Sequence, residues 1–363
     1  NIVLTFSEAV DVESGNIIIK KKSDDSTVET IDVTDTNKVS GTGSTQITIN
    51  PSSDLEEETE YYVQIDATAF DDGAGNDYAG ISDKTTLSFT TGDETAPTLS
   101  SSNPADNATA VATTGSIVLT FSEAVDVENG NITIKKKSND STVETIDVTD
   151  TNKVSGTGST QITINPSSDL EEETEYYVQI DATAFDDGAG NDYAGISDKT
   201  TLSFTTGDET APTLSSSNPA DNATAVATTS NIVLTFSEAV DVESGNITIK
   251  KTSDNSTVET IDVTDTNKVS GTGTTQITIN PSSDLEEQTE YYVQIAATAF
   301  DDGSSNDYAG ISDTTTLSFT TADETAPTLS SSNPADDATA VATTSNIVLT
   351  FSEAVDVESG NIT

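Results

Sequence analysis

Apolar and polar residues alternate along most of this chain. In "IVLTF" at 117–121, Ile117, Leu119 and Phe121 share one face; Ile162 and Ile164 share one in "TQITI", and Leu202 and Phe204 in "TTLSFTT". The longest run, "YYVQIDATAF", puts Tyr176, Val178, Ile180, Ala182 and Ala184 on one side and leaves Tyr177, Gln179 and Asp181 on the other. A period of two is the pattern of half-buried β-strands, and the abundant Thr and Val suit a pleated backbone. Turn clusters such as "KSNDST", "SGTGST" and "NPSSD" separate the runs. No stretch carries a convincing amphipathic helical period; "DLEEETE" is expected to make one turn before its strand and otherwise to be a solvated turn. About seven short strands at such spacing predict a two-sheet β-sandwich.

The whole pattern is copied. "IVLTFSEAVDVE" begins at Ile2, Ile117, Ile232 and Ile347, and "ETAPTLSSSNPAD" at Glu94, Glu209 and Glu324, each 115 residues after the last. That period is too long for a solenoid unit that needs its neighbours for a core, and it suits one independently folded domain. The expected organisation is a repeat lacking its first strand at 1–92, complete repeats at 93–207 and 208–322, and the start of a fourth at 323–363. The chain reads as an excerpt of a longer array.

Composition narrows the chemistry. There are 63 acidic and 13 basic residues, all of the latter Lys, for a formal charge of −50. Phosphate recognition needs clustered Lys or Arg, so nucleic acid is a poor partner, and an anionic membrane is repelled likewise. No run approaches the ~18 consecutive apolar residues of a spanning helix. His, Cys, Met and Trp are absent, which removes the usual neutral-pH proton carrier, the strongest common nucleophile and the usual zinc and iron ligands. A paired-carboxylate glycosidase would need a sugar-stacking aromatic cleft, and aromatics are 5% of residues. The chain is not expected to be an enzyme. Hard cations held by oxygen remain open.

The ordered set "TAPTLSSSNPADNATAV", "IVLTFSEAVDV", "ITINPSSDLEEETEYYVQI", "FDDGAGN" and "TTLSFTT" resembles the bacterial Ig-like domains of S-layer proteins and giant surface adhesins, and the resemblance covers every complete period. It implies an all-β fold of tandem Ig-like β-sandwich domains in an extended array, on the outside of a bacterial cell, often bound to calcium. The third period departs from the loop pattern, with Ser304 and Ser305 where the second has Ala189 and Gly190; a strict need for positive φ there is not expected.

In an Ig-like sandwich the B–C and F–G loops lie at one end, where the chain also enters. Three acidic segments should meet there. The linker brings Asp93 and Glu94, the B–C loop Asp126 and Glu128, and the F–G loop Asp186, Asp187 and Asn191. Glu123 continues the register of Phe121 and should be half-buried at the same pole, where a carboxylate without a partner is costly. The following period repeats the set as Asp208, Glu209, Glu238, Asp241, Glu243, Asp301, Asp302 and Asn306. These sixteen residues are the candidate ligands. Ca²⁺, which takes about six to eight oxygens, fits them first, and Mg²⁺, which prefers a smaller octahedral shell, second.

An EF-hand is excluded by spacing and by the lack of flanking helices, and a calcium β-roll needs tandem nonapeptides where "GAGND" stands alone in a period and is broken to "SSND" in the third. Ordinary solvated turns are the competing reading, because Asp and Asn favour turns by themselves. The expected function is a calcium-stiffened stalk or spacer of a bacterial surface adhesin, its partners being neighbouring repeats. The alternative is a subunit of a self-assembling filament or surface layer, with copies of the chain as partners.

Overall fold

The computed structural model describes residues 1–360 and Ile362. They form two compact units, Asn1–Gly207 and Asp208–Thr363, and every regular element among them is a strand.

The module at 93–207, in the first unit, shows the plan. One sheet is built on the long strand Ile117–Val127, which pairs antiparallel with Ser159–Ile164 (Ile117 opposite Ile164, Leu119 opposite Ile162) and with Leu99–Asn103 on its other side. Val154–Ser155 extends that sheet. The second sheet runs in the order Ala108–Val111, Ser203–Thr206, Glu175–Ile180, Asn131–Lys136, Thr142–Asp147. The first strand is thus divided between the sheets, with Pro104, which has no N–H to donate, directly after Asn103. This division and two very short strands, Val154–Ser155 and Phe185–Asp186, give ten segments where the alternation pattern predicts about seven.

The predicted faces meet between the sheets. Ile117, Leu119, Phe121, Ile162, Ile164, Tyr176, Val178, Ile180, Leu202 and Phe204 are all buried in one core. Phe121 meets Phe185 and Tyr193 edge-on, at centroid distances of 5.5 and 5.1 Å. The second unit repeats this core around Phe236, Phe300 and Tyr308.

Tyr177 lies on the face away from the core, as the alternation predicts, but that face is not open to solvent there: it is 3% exposed, because its hydroxyl donates to Asp140 and the hairpin turn carrying Asp140 covers it. One expectation for the "YYVQIDATAF" run fails. Ala182 is exposed, because the strand ends at Ile180. There the returning F–G loop presses on the strand. A Cβ on Gly195, at φ +73°, would lie 2.5 Å from the Ile180 carbonyl oxygen, so only glycine fits. The lysine-rich strand Asn131–Lys136 is interior to its sheet; Lys136, and Lys137 just beyond it, pair with Glu171 and Glu175 of the neighbouring segment.

Candidate metal centre

The long strand Ile117–Val127 carries its register to the pole of the sandwich. Its ladder is irregular between Thr120 and Val125, and Glu123 is half-buried within that stretch. The incoming linker runs alongside: the Ser122 amide donates to the Thr98 carbonyl at 2.8 Å, and the Thr98 amide to the Ser122 hydroxyl at 3.0 Å.

The F–G loop closes on the linker from the other side. Asp187 accepts the amides of Ala189 (2.8 Å) and Asn191 (2.9 Å), and the Asn191 side-chain amide donates both to Asp187 (2.7 Å) and to the Asp93 carbonyl (3.1 Å). Asn191 is therefore a tie between loop and linker. Asp187 is buried, 3% exposed, whereas Asp72, its counterpart in a repeat with no linker before it among residues 1–92, is only half-buried. In the second unit Asn306, Asp302 and Asp208 repeat these bonds. The turn conformation survives the change of residue: Gly190 has φ +88° and Ser305 keeps φ +68°. The loop geometry thus needs a positive φ after all, and serine carries it.

Carboxylate oxygens of Asp93, Glu123 and Asp187 all lie within 4.8 Å of one another, as do those of Asp208, Glu238 and Asp302. Two oxygens bound to one calcium ion at about 2.4 Å can be no more than about 4.8 Å apart, so the spacing suits shared ligation. Among the described residues no lysine pairs with Asp93, Glu123 or Asp187. A cleft of about 510 Å³ lined by Glu58, Asp93, Glu123 and Asp187 leaves room for an ion and water.

Burial, and after it the charges of Asp93, Asp187, Glu58 and Glu57, push the Glu123 carboxyl above the usual range. Burial also acts to raise Asp187, but the hydrogen bonds from Asn191, Ala189 and Gly190 outweigh it and hold that carboxyl low. The cluster thus joins a fixed anion to a carboxylate that resists ionisation unless a cation is supplied.

The remaining candidates separate from this trio. Glu94 and Glu209 are exposed, and Glu94 lines a different cleft with Asn50, Asp54 and Glu57 of the preceding repeat. Asp126 belongs to the long strand and stands opposite Asp186 on the adjacent short strand, as Asp241 stands opposite Asp301. Glu128 and Glu243 follow in the B–C turns and face Asp186 and Asp301 respectively. The single acidic gathering expected from the loop positions is therefore two clusters per module.

A further contributor lies outside the predicted set. In "DLEEETE" of the first repeat, Glu57 accepts the hydroxyl of Thr95 in the linker, and Glu58 lines the cleft beside Asp93. At the end of the third repeat Glu287 accepts Thr325 at 2.7 Å, and Gln288, in the place of Glu58, donates to Asp323 at 2.6 Å. This run is part of the linker environment rather than a bystander turn.

A pH dependence follows. An acid whose value is raised in the fold costs nothing below its unfolded value near ~4.3, and that cost grows as pH rises through the folded value. In chelator, the thermal midpoint of the chain is expected to rise as pH falls from 7 towards the unfolded value near ~4.3, less so in Glu123→Gln. Further acidification should lower it again, because Asp198, held down to about 2 by hydrogen bonds from Thr200 and then Thr201, loses its contribution below its unfolded value. Calorimetry across this range reads both limbs.

The bacterial Ig-like domain family matches residues 1–91, 93–206, 208–321 and 323–363. The chain belongs to that family, as tandem repeats of it. No curated protein matches the chain. Among solved structures, the N-terminal part of the bacterial S-layer protein SbsC is 14% identical over 60% of this chain, with a TM-score of 0.23. The chain spans 43% of that structure's length. The tetra-tandem repeat in the extending region of a large adhesion protein is also 14% identical, over 90% of this chain and 72% of its own, with a TM-score of 0.27. Domains 3–5 of the Drosophila OTK extracellular region are 8% identical over 80% of this chain and 84% of theirs, with a TM-score of 0.19.

Proposed function

We propose that these repeats form a non-enzymatic, extracellular spacer of a bacterial surface protein, stiffened where calcium ties each linker to the module it enters. The observation that carries the reading is the meeting of linker, long strand and F–G loop carboxylates, Asp93 with Glu123 and Asp187 and again Asp208 with Glu238 and Asp302, within 4.8 Å. Supporting it, residues 116–230 hold 20 acidic side chains and five lysines, about −15 per period, so the metal-free linker sits in a field that repels it. Ordering each linker residue costs about 1–2 kcal/mol. An ion at a hundred times its dissociation constant contributes about 2.7 kcal/mol to the state that binds it, which offsets the ordering of roughly two residues. Calcium at that level would hold the linker; its removal would release a hinge.

The alternative, a subunit of a filament or surface layer, requires lateral contact between copies that each carry this negative charge, which is why the spacer is preferred. Small-angle scattering on the chain decides on stiffness. A maximum dimension that lengthens with millimolar calcium and shortens with chelator is expected; one that does not change contradicts the proposal. Sedimentation in the same buffers should stay monomeric, and polymerisation on adding calcium would favour the filament.

A further inference from the structure

Each module carries a row of carboxylates that the linker trio leaves unused. Asp186 stands opposite Asp126 on one side and bridges to Asp192 on the other. Partners across antiparallel strands point the same way with Cβ atoms about 4.5–5.5 Å apart, and like charges so placed destabilise a sheet. Yet the row recurs in every repeat whose F–G loop is present, as Asp11–Asp71–Asp77 and Asp241–Asp301–Asp307.

The central member is the enclosed one. Asp301 is 9% exposed, and its Oδ1, like that of Asp71 and of Asp186, is closed off from solvent with no hydrogen-bond partner. The charged groups facing Asp301 are Glu243, Asp241, Asp302 and Asp307, all negative. A buried carboxylate oxygen needs a donor or a cation, and among the described residues no lysine pairs with any member of the three rows.

We infer that each row binds its own hard divalent cation, Ca²⁺ by donor type, within a single module and independently of the linker. The central aspartate supplies the inward oxygen, the flanking aspartates and the B–C glutamate further ones, and water completes a shell of about six to eight oxygens. The row does not close to the 4.8 Å spacing of the linker trios, so the ion draws the flanking carboxylates in. The site secures the short strand that leads into the F–G loop.

The test uses the full chain stripped with EDTA and titrated with CaCl₂ in equilibrium dialysis, with melting followed in parallel. Asp71→Asn/Asp186→Asn/Asp301→Asn is expected to bind three fewer ions per chain, to melt above the unaltered chain in EDTA, and to gain less from calcium. A linker variant, Asp93→Asn/Glu123→Gln/Asp208→Asn/Glu238→Gln, is expected to keep those three ions, which separates failure of this site from failure of the linker proposal. An unchanged ion count in the row variant overturns the inference and leaves a shared proton as the partner of the buried oxygen. Should that variant not fold, Asp77→Asn/Asp192→Asn/Asp307→Asn, all at exposed positions, is expected to weaken the same three-ion step at least tenfold, and an unshifted step overturns the inference equally.

Discussion

Phe121→Ala is expected to cost the second module about 3–5 kcal/mol, the range for removing a buried phenylalanine. A domain of this size is stable by only about 5–15 kcal/mol, so the module should be left close to unfolding at 37 °C. The ring is 3% exposed and wedged edge-on between Phe185 and Tyr193. Phe185 or Tyr193 cannot fill the gap without moving the F–G loop, because each belongs to it or to the strand before it. The damage should therefore spread to the pole: Glu123 lies two residues further on the same strand, and Asp187 two residues beyond Phe185. Hydrogen exchange resolved by peptide on the full chain should show faster exchange across 116–127 and 176–196, with the module at 208–321 unaffected.

Asp93→Asn together with Glu123→Gln should lower calcium affinity at that linker by about 100-fold or more, given how widely calcium affinities range with ligand charge. These two are chosen because Asp187 also caps its own loop through the amides of Ala189 and Asn191. An asparagine at 93 can still accept the Thr95 amide that Asp93 accepts at 3.0 Å. The sign reverses without the ion. In chelator the double variant should melt higher than the unaltered chain, since Glu123 no longer carries a charge that burial and its acidic neighbours oppose. Calorimetry with and without calcium reads both effects. A variant destabilised equally under both conditions would mark the carboxylates as structural only.

Most of the sandwich was legible because its signal is local. Ile117, Leu119, Phe121, Ile162, Ile164, Tyr176 and Val178 alternate, and all are buried where the alternation places them. Tyr177 was not legible: what buries it is the turn at Asp140, 37 residues away in the chain. The meeting of Asp93, Glu123 and Asp187 followed from Ig-like topology joined to the register of one strand. That Asp126 and Asp186 would stand opposite each other instead could not be read, because it depends on a cross-strand register that loop positions do not specify. The position of Glu57 and Glu58 is legible from strand order. Their turn opens the strand Glu60–Ile65, whose first residue stands opposite Thr90 at the end of the closing strand. A turn so placed necessarily lies beside the outgoing linker.

The most direct measurement is the anomalous difference density of crystals grown with calcium. The account predicts a peak about 2.3–2.6 Å from carboxylate oxygens of Asp93, Glu123 and Asp187, and a second among Asp208, Glu238 and Asp302. Carboxylates turned apart towards solvent with no peak between them would contradict it.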